Sequence, residues 1–189
     1  MSSPNFTAFK TIARREVMRI LRIWGQTLVP PAITMTLYFL IFGKLIGSRI
    51  GDMGGFDYMD FIVPGLVMMS VIQNAYGNIS SSFFGAKFGR HVEELLVSPM
   101  PNHVILAGYV AGGVLRGLMV GLIVLAIAML FTHVRIPHPL IMISTILLGA
   151  VVFSLAGFVN AVDAKKFDDI AIIPTFILTP LTYLGGVFY

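Results

Sequence analysis

Apolar residues come in long runs along this chain, separated by short polar connectors. Five runs approach the roughly 20 residues that an α-helix needs to cross a hydrocarbon core: 28–42 extended through 43–47, then 61–84, 104–131, 140–162 and 170–189. Short connectors make successive spans alternate in direction and pack as one bundle. The pattern predicts an all-α polytopic membrane protein with one domain, 1–189, and shows no boundary, low-complexity tract or internal repeat. Pro30 and Pro31 open the first run, where a missing amide donor costs a helix least.

Ahead of that run the period changes. At 100° per residue, Phe9, Ile12, Ala13, Val17, Ile20, Ile23 and Trp24 share one face, and Arg14, Arg15 and Arg22 point broadly the other way. Residues 1–26 therefore read as an amphipathic helix in the membrane interface, its basic face toward anionic headgroups. A simple basic flank to the first span is the plainer alternative. Glu16 interrupts the apolar face and needs a partner. No small-residue cleavage site follows at the distance a signal peptide requires.

A second amphipathic segment lies between the second and third spans, "KFGRHVEELLVSPMPNHV". Phe88, Val92, Leu95 and Leu96 fall on one helical face, with Lys87, Arg90, Glu93 and Glu94 mostly elsewhere. Pro99 and Pro101 forbid further helix. A short helix over 85–97 follows, with a charged surface for a soluble partner and an apolar one to pack beneath the bundle. A plain solvated loop fits the same residues.

Composition sharpens the picture. The hydrophobic share is 57%, the charged share 12% and mean hydropathy +0.88. Soluble domains carry about 25% charged residues, so this chain could not cover its own surface in water. With no cysteine, disulfides and thiolate metal sites are excluded. The net charge of +4 suggests nucleic acid until its sources are located. Lys10, Arg14, Arg15, Arg19 and Arg22 precede the first span, Lys87 and Arg90 follow the second, and Lys165 and Lys166 follow the fourth. The alternate connectors hold only Lys44, Arg49 and Arg135. This asymmetry is topological and predicts a cytoplasmic N-terminus, with membrane lipid rather than nucleic acid as the partner.

Candidate chemistry is sparse. Ser70, Asn74, Asn78 and Ser81 share a face of the second span, with Gln73 and Tyr76 nearby. They could line a substrate path, or join helices through hydrogen bonds worth about 1 kcal/mol each. Gly113, Gly117 and Gly121, with Gly108 and Gly112 offset, form a small-residue ridge suited to close helix contact. Arg116 is the one charge well inside a span. Such a charge faces a partner or a wet cavity, unless the helix starts late and lets it snorkel to headgroups. His91, His103, His133 and His138 sit in connectors without the geometry of a metal set. Asp168 and Asp169 suit a helix start.

The stretch "VEELLVSPMP" resembles the cytoplasmic segment of ABC-2 type permeases, where Glu-x-Leu-Leu is followed by Ser or Thr and Pro. "RREVMRILR" before the first span, "FIVPGLVMMSV" in the second and "PTFILTPLTYLGGVFY" at the end resemble further motifs of that family, in order along the chain. The resemblance implies a half-transporter of the bacterial inner membrane, multi-pass, exporting a drug, lipid or polysaccharide-like substrate by alternating access or a continuous channel. It implies pairing as a permease homodimer with two copies of an ABC ATPase subunit docked below. The 85–97 segment would be the coupling helix, carried by Phe88, Arg90, Glu93, Glu94, Leu95 and Leu96, and Gln73, Asn74, Asn78 and Arg116 would be pathway candidates. No cofactor or metal is expected. No G-x-x-x-x-G-K-[ST] occurs, so ATP hydrolysis is expected on another chain.

Two rivals stand beside this. A secondary transporter or channel would carry paired intramembrane acids or inverted repeats, which are not evident. A membrane-embedded lipid-modifying enzyme would need more than Asp163, Asp168 and Asp169 at the membrane face. Family members with this closing motif continue into short external helices and a returning sixth span, so five spans of an expected six are anticipated here.

Overall fold

The computed structural model describes residues 4–47, 52–53, 56–132 and 136–188. Arg49, His133, Arg135 and Tyr189 lie outside the described residues, as does the side chain of Lys44.

The N-terminal segment is helix α1, Pro4–Arg22. A one-turn α2, Trp24–Thr27, and α3, Val29–Tyr38, carry the first apolar run, with prolines at the start of α3. The run ends as a π-helical stretch, Phe39–Ile46. A two-residue antiparallel ladder follows, β1 (Asp52–Met53) against β2 (Phe56–Asp57), pairing Asp52 with Asp57 and Met53 with Phe56.

Helix α4, Tyr58–Phe88, is the centre of the bundle. Asp57 caps it, its side chain accepting from the Met59 amide at 3.4 Å. Pro64 lies inside the helix and removes the amide bond to the Asp60 carbonyl. Ile62, Leu66, Val71, Ala75 and Ile79 are fully buried. Around α4 stand α6, Asn102–Phe131, and α7, Pro139–Asp163. Between α4 and α6 lies α5, His91–Val97. The last apolar run is α8, Phe167–Ile173, a π-helical stretch Pro174–Leu178, and α9, Thr179–Leu184.

The protein is an all-helical, polytopic membrane protein apart from the small ladder. Trp24–Gly43, Asn102–Phe131, Pro139–Asp163 and Phe167–Leu184 are long and apolar enough to cross a bilayer. The second apolar run expected to span falls within α4, whose 31 residues suffice in length; with Gln73, Asn74, Asn78 and Ser80–Ser82 along it, α4 is not among those four. Leu140, Leu148, Phe176 and Leu184 are all more than 65% exposed, a surface that suits lipid and not water.

Glycine decides how closely the helices approach. A Cβ on Gly113 would lie 3.0 Å from the Ala75 carbonyl, one on Gly117 3.1 Å from the Val71 carbonyl, and one on Gly121 2.6 Å from a Val71 methyl. That row admits α4. The offset pair meets another helix: a Cβ on Gly108 would lie 2.6 Å from Ile12, and one on Gly112 2.6 Å from Glu16 Cβ. The ridge predicted on the third span is therefore two grooves, one for the central helix and one for α1. In lipid, where helix association rests on close packing and hydrogen bonds, this is what holds α1 to the bundle.

The expected orientation of α1 changes accordingly. Ile12, Glu16 and Ile20 form its buried line against α6, so only part of the anticipated apolar face is left for lipid. Trp24, placed on that face by period, is 60% exposed, because the chain breaks at Ile23 before α2 begins.

Polar ties mark the bundle's two ends. Thr132 Oγ1 donates to Asp60, joining the end of α6 to the start of α4. At the other end Lys87 Nζ donates to the carbonyl of Ala164 at 2.8 Å and to that of Val162. There the ammonium meets the carbonyl end of α7, where a cation is favoured. Asp169 Oδ2 accepts from the amides of Lys165 and Lys166 at 2.8 and 2.9 Å, starting α8 in the way the paired acids suggested.

Candidate functional site

The polar residues of the bundle converge where α1, α4 and α6 meet. Glu16 is 1% exposed, and its carboxylate is fully engaged. Oε1 accepts from Ser82 Oγ at 2.7 Å and Oε2 from Arg19 Nη2 at 3.0 Å. The same Arg19 nitrogen donates to Asn78 Oδ1 at 2.8 Å. The partner that Glu16 needs is thus local and tertiary at once: an arginine one turn on, and a serine 66 residues away. Local sequence explains the geometry. Residues 16 and 19 are adjacent on a helix surface, residues 78 and 82 lie one turn apart on α4, and Gly112 lets the carboxylate come close.

Arg116 stands next in the same row. The pairings Ile12–Gly108 and Glu16–Gly112 advance together by one turn, which brings Arg116 opposite the Arg19–Ile20 level. Arg116 is half-buried, its Nε is shielded, and among the described residues it forms no hydrogen bond or ion pair. Because α6 begins at Asn102, Arg116 lies mid-helix, about 21 Å along from that end. The reading in which a late helix start lets it snorkel does not hold.

The polar face of α4 divides. Ser70 Oγ bonds the Val67 carbonyl, Asn74 Nδ2 the Ser70 carbonyl at 2.9 Å, and Ser81 Oγ the Gly77 carbonyl. These groups are satisfied within their own helix. Among the described residues, Asn78 is the member of that face that binds another element, and its Nδ2 is buried without a partner. Gln73 and Asn74 are half-buried and do not reach the cluster. Arg19 and Ser82 went unsingled in the sequence, although an acid and base three apart on an apolar face was the available signal.

A second candidate site faces away from the bundle. The expected helix over 85–97 is divided: α4 runs on to Phe88, a turn occupies Gly89–Arg90, and α5 begins at His91. Arg90 takes φ 58° and ψ 12°, a left-handed conformation that is uncommon outside Gly, Asn and Asp. The apolar face is split too. Val92 and Leu95 pack inward with Phe83, Ile105 and Phe158 nearby. Phe88 belongs to α4 and stacks toward Phe84 and Phe167, with centroids 6.2 and 5.0 Å away. Glu93, Glu94, Leu96 and Val97 are exposed.

A family model described as ABC-2 type transporter matches residues 7–189. The chain belongs to the ABC-2 type transporter family. It is 65% identical to the inner membrane transport permease YadH of Escherichia coli K12 over 184 residues, which are 97% of this chain and 72% of that protein. The YadH of Shigella flexneri is similar to the same degree. Nodulation protein J of Sinorhizobium fredii is 27% identical over 186 residues, 98% of this chain and 67% of that protein. No solved structure matches the chain. An ABC-2 membership makes this a membrane-embedded permease subunit, a transporter component rather than an enzyme.

Proposed function

We propose that this ABC-2 permease is the membrane half of an ATP-driven exporter, paired as a homodimer with two ATPase subunits beneath it in the bacterial inner membrane. The family normally works with an ATPase partner, and YadH is named an inner membrane transport permease. The observation that carries the reading is the presentation of α5. Seven residues are tethered by Val92 and Leu95, while Glu93, Glu94, Leu96 and Val97 project outward. A small helix with an acidic, partly apolar outer side is suited to a cleft in a soluble subunit, and its two short tethers would pass displacement to α4 and α6. The excess of Lys and Arg at this end supports a cytoplasmic position for it and for the N-terminus. The cargo is of the drug, lipid or polysaccharide kind, and Asn78 and Arg116 are the residues we assign to its route.

Reversing the charge of both Glu93 and Glu94 with Lys tests the coupling. Both side chains are exposed and form no ion pair among the described residues, so the variant should insert normally, fail to co-purify with the ATPase subunit and lose export. Undiminished export would overturn the assignment and favour a transporter that works without an ATPase.

A further inference from the structure

We propose that Arg116, at the level of Arg19 and its partner Asn78 in the α1–α6 row, forms with them a binding site inside the bundle for an acidic group, a phosphate or carboxylate carried by a lipid headgroup or a soluble anion. The inference deepens the permease reading and rests on Arg116 and Asn78 facing its route.

The charges do not close. The register of the Ile12–Gly108 and Glu16–Gly112 approaches puts the Arg19 and Arg116 guanidinium groups at one level of the bundle, and the one carboxylate there is paired with Arg19. Glu16 spends one oxygen on Arg19 and the other on Ser82, which leaves it no oxygen committed to Arg116. Among the described residues no other acid reaches Arg116, since Asp60 is tied to Thr132 at the end of α6. A cation held mid-helix in a membrane protein is costly without a counter-charge, and an uncompensated buried charge is worse than a buried pair.

The donors point the same way. Arg116 Nε, Arg19 Nε and Asn78 Nδ2 are all buried and, among the described residues, without partners. Asn78 is fully buried, and its carbonyl oxygen already accepts from Arg19. What is unfilled at these three residues is donor capacity, with an excess of one positive charge. Planar guanidinium donors match phosphate and carboxylate oxygens. A cationic or neutral apolar molecule would leave these donors unmet and the charge uncompensated. The half-exposed position of Arg116 leaves one side of it open to such a group.

The test uses the intact chain in phosphatidylcholine-containing micelles, without ATPase, titrated with phosphatidylglycerol in one arm and inorganic phosphate in the other. Retained lipid is read by native mass spectrometry and the melting temperature by intrinsic fluorescence. Phosphatidylglycerol binding alone identifies a headgroup site, and response to phosphate as well identifies a soluble-anion site; both support the proposal. Arg116→Gln should weaken binding about tenfold or more, the scale of one lost charged hydrogen bond, and Arg116→Lys should keep much of it. Because the chain has no cysteine, Arg116→Cys adds a control for folding. A small cationic thiol reagent should restore anion binding there, and a neutral one should not. Equal binding by the wild type and Arg116→Gln, no binding by the wild type, or a position 116 that the reagent cannot reach would each overturn it. Because the titration needs no ATPase, undiminished export by the Glu93 and Glu94 variant would count against the exporter reading and not against this site.

Discussion

Glu16 and Ser82, on helices that the chain separates by one span, meet at 2.7 Å where α1 packs on α4. Through that contact the N-terminal helix is tied to the side of α4. The serine, Arg19 and Asn78 convert one awkward acid into a three-helix junction with α6 as its floor.

Removing one member of that junction should cost more than removing two. Glu16→Gln leaves Arg19 without its counter-charge, and breaking a buried pair on one side costs about 3–5 kcal/mol. The lower end applies here, because the Arg19 side chain is 30% exposed. Adding Arg19→Gln should return part of the loss. A double-mutant cycle on thermal unfolding in detergent should give a coupling above about 1 kcal/mol. Simple additivity would mean that the ion pair does not hold α1.

Two glycines separate packing from propensity. Gly112→Ala places a methyl 2.6 Å from Glu16 Cβ, whereas nothing lies within 4 Å of a Cβ on Gly77. Gly77→Ala should therefore be neutral or gain up to about 1 kcal/mol from helix propensity. Gly112→Ala should pry α1 from α6 and expose the N-terminal helix to protease. Comparable protease protection in the two variants would contradict the groove described for α1.

How much of this was legible before folding follows from the same residues. Spans and connectors were readable because apolar length in a bilayer leaves few alternatives, and the small-residue ridge was readable because small-xxx-small spacing has one common use. The division of that ridge was not, since Gly108 and Gly112 differ from Gly113 and Gly117 only in which neighbour arrives. Glu16 announced a missing partner, yet Ser82 sits 66 residues away and no local period links them. The break at Gly89–Arg90 was hidden for a different reason. Arginine carries no turn signal, and an unbroken helix from 85 matched the apolar spacing equally well.

Arg90 allows backbone and charge to be told apart at the cytoplasmic helix. Its φ of 58° costs an L-residue roughly 1–2 kcal/mol, a cost that glycine avoids. If the turn matters because it aims α5, Arg90→Gly should insert, melt no lower and support ATPase-dependent export near the wild-type rate. Arg90→Val should fail, because a β-branched residue is strained at positive φ. If the guanidinium itself contacts the ATPase, the order reverses in one respect: Arg90→Gly would keep the melting temperature and lose export. Measuring both quantities for both variants therefore decides whether the residue at position 90 is a hinge or a contact. We expect the hinge, since Gly89 and Arg90 form the whole link between α4 and α5 and Arg90 alone carries the change in chain direction.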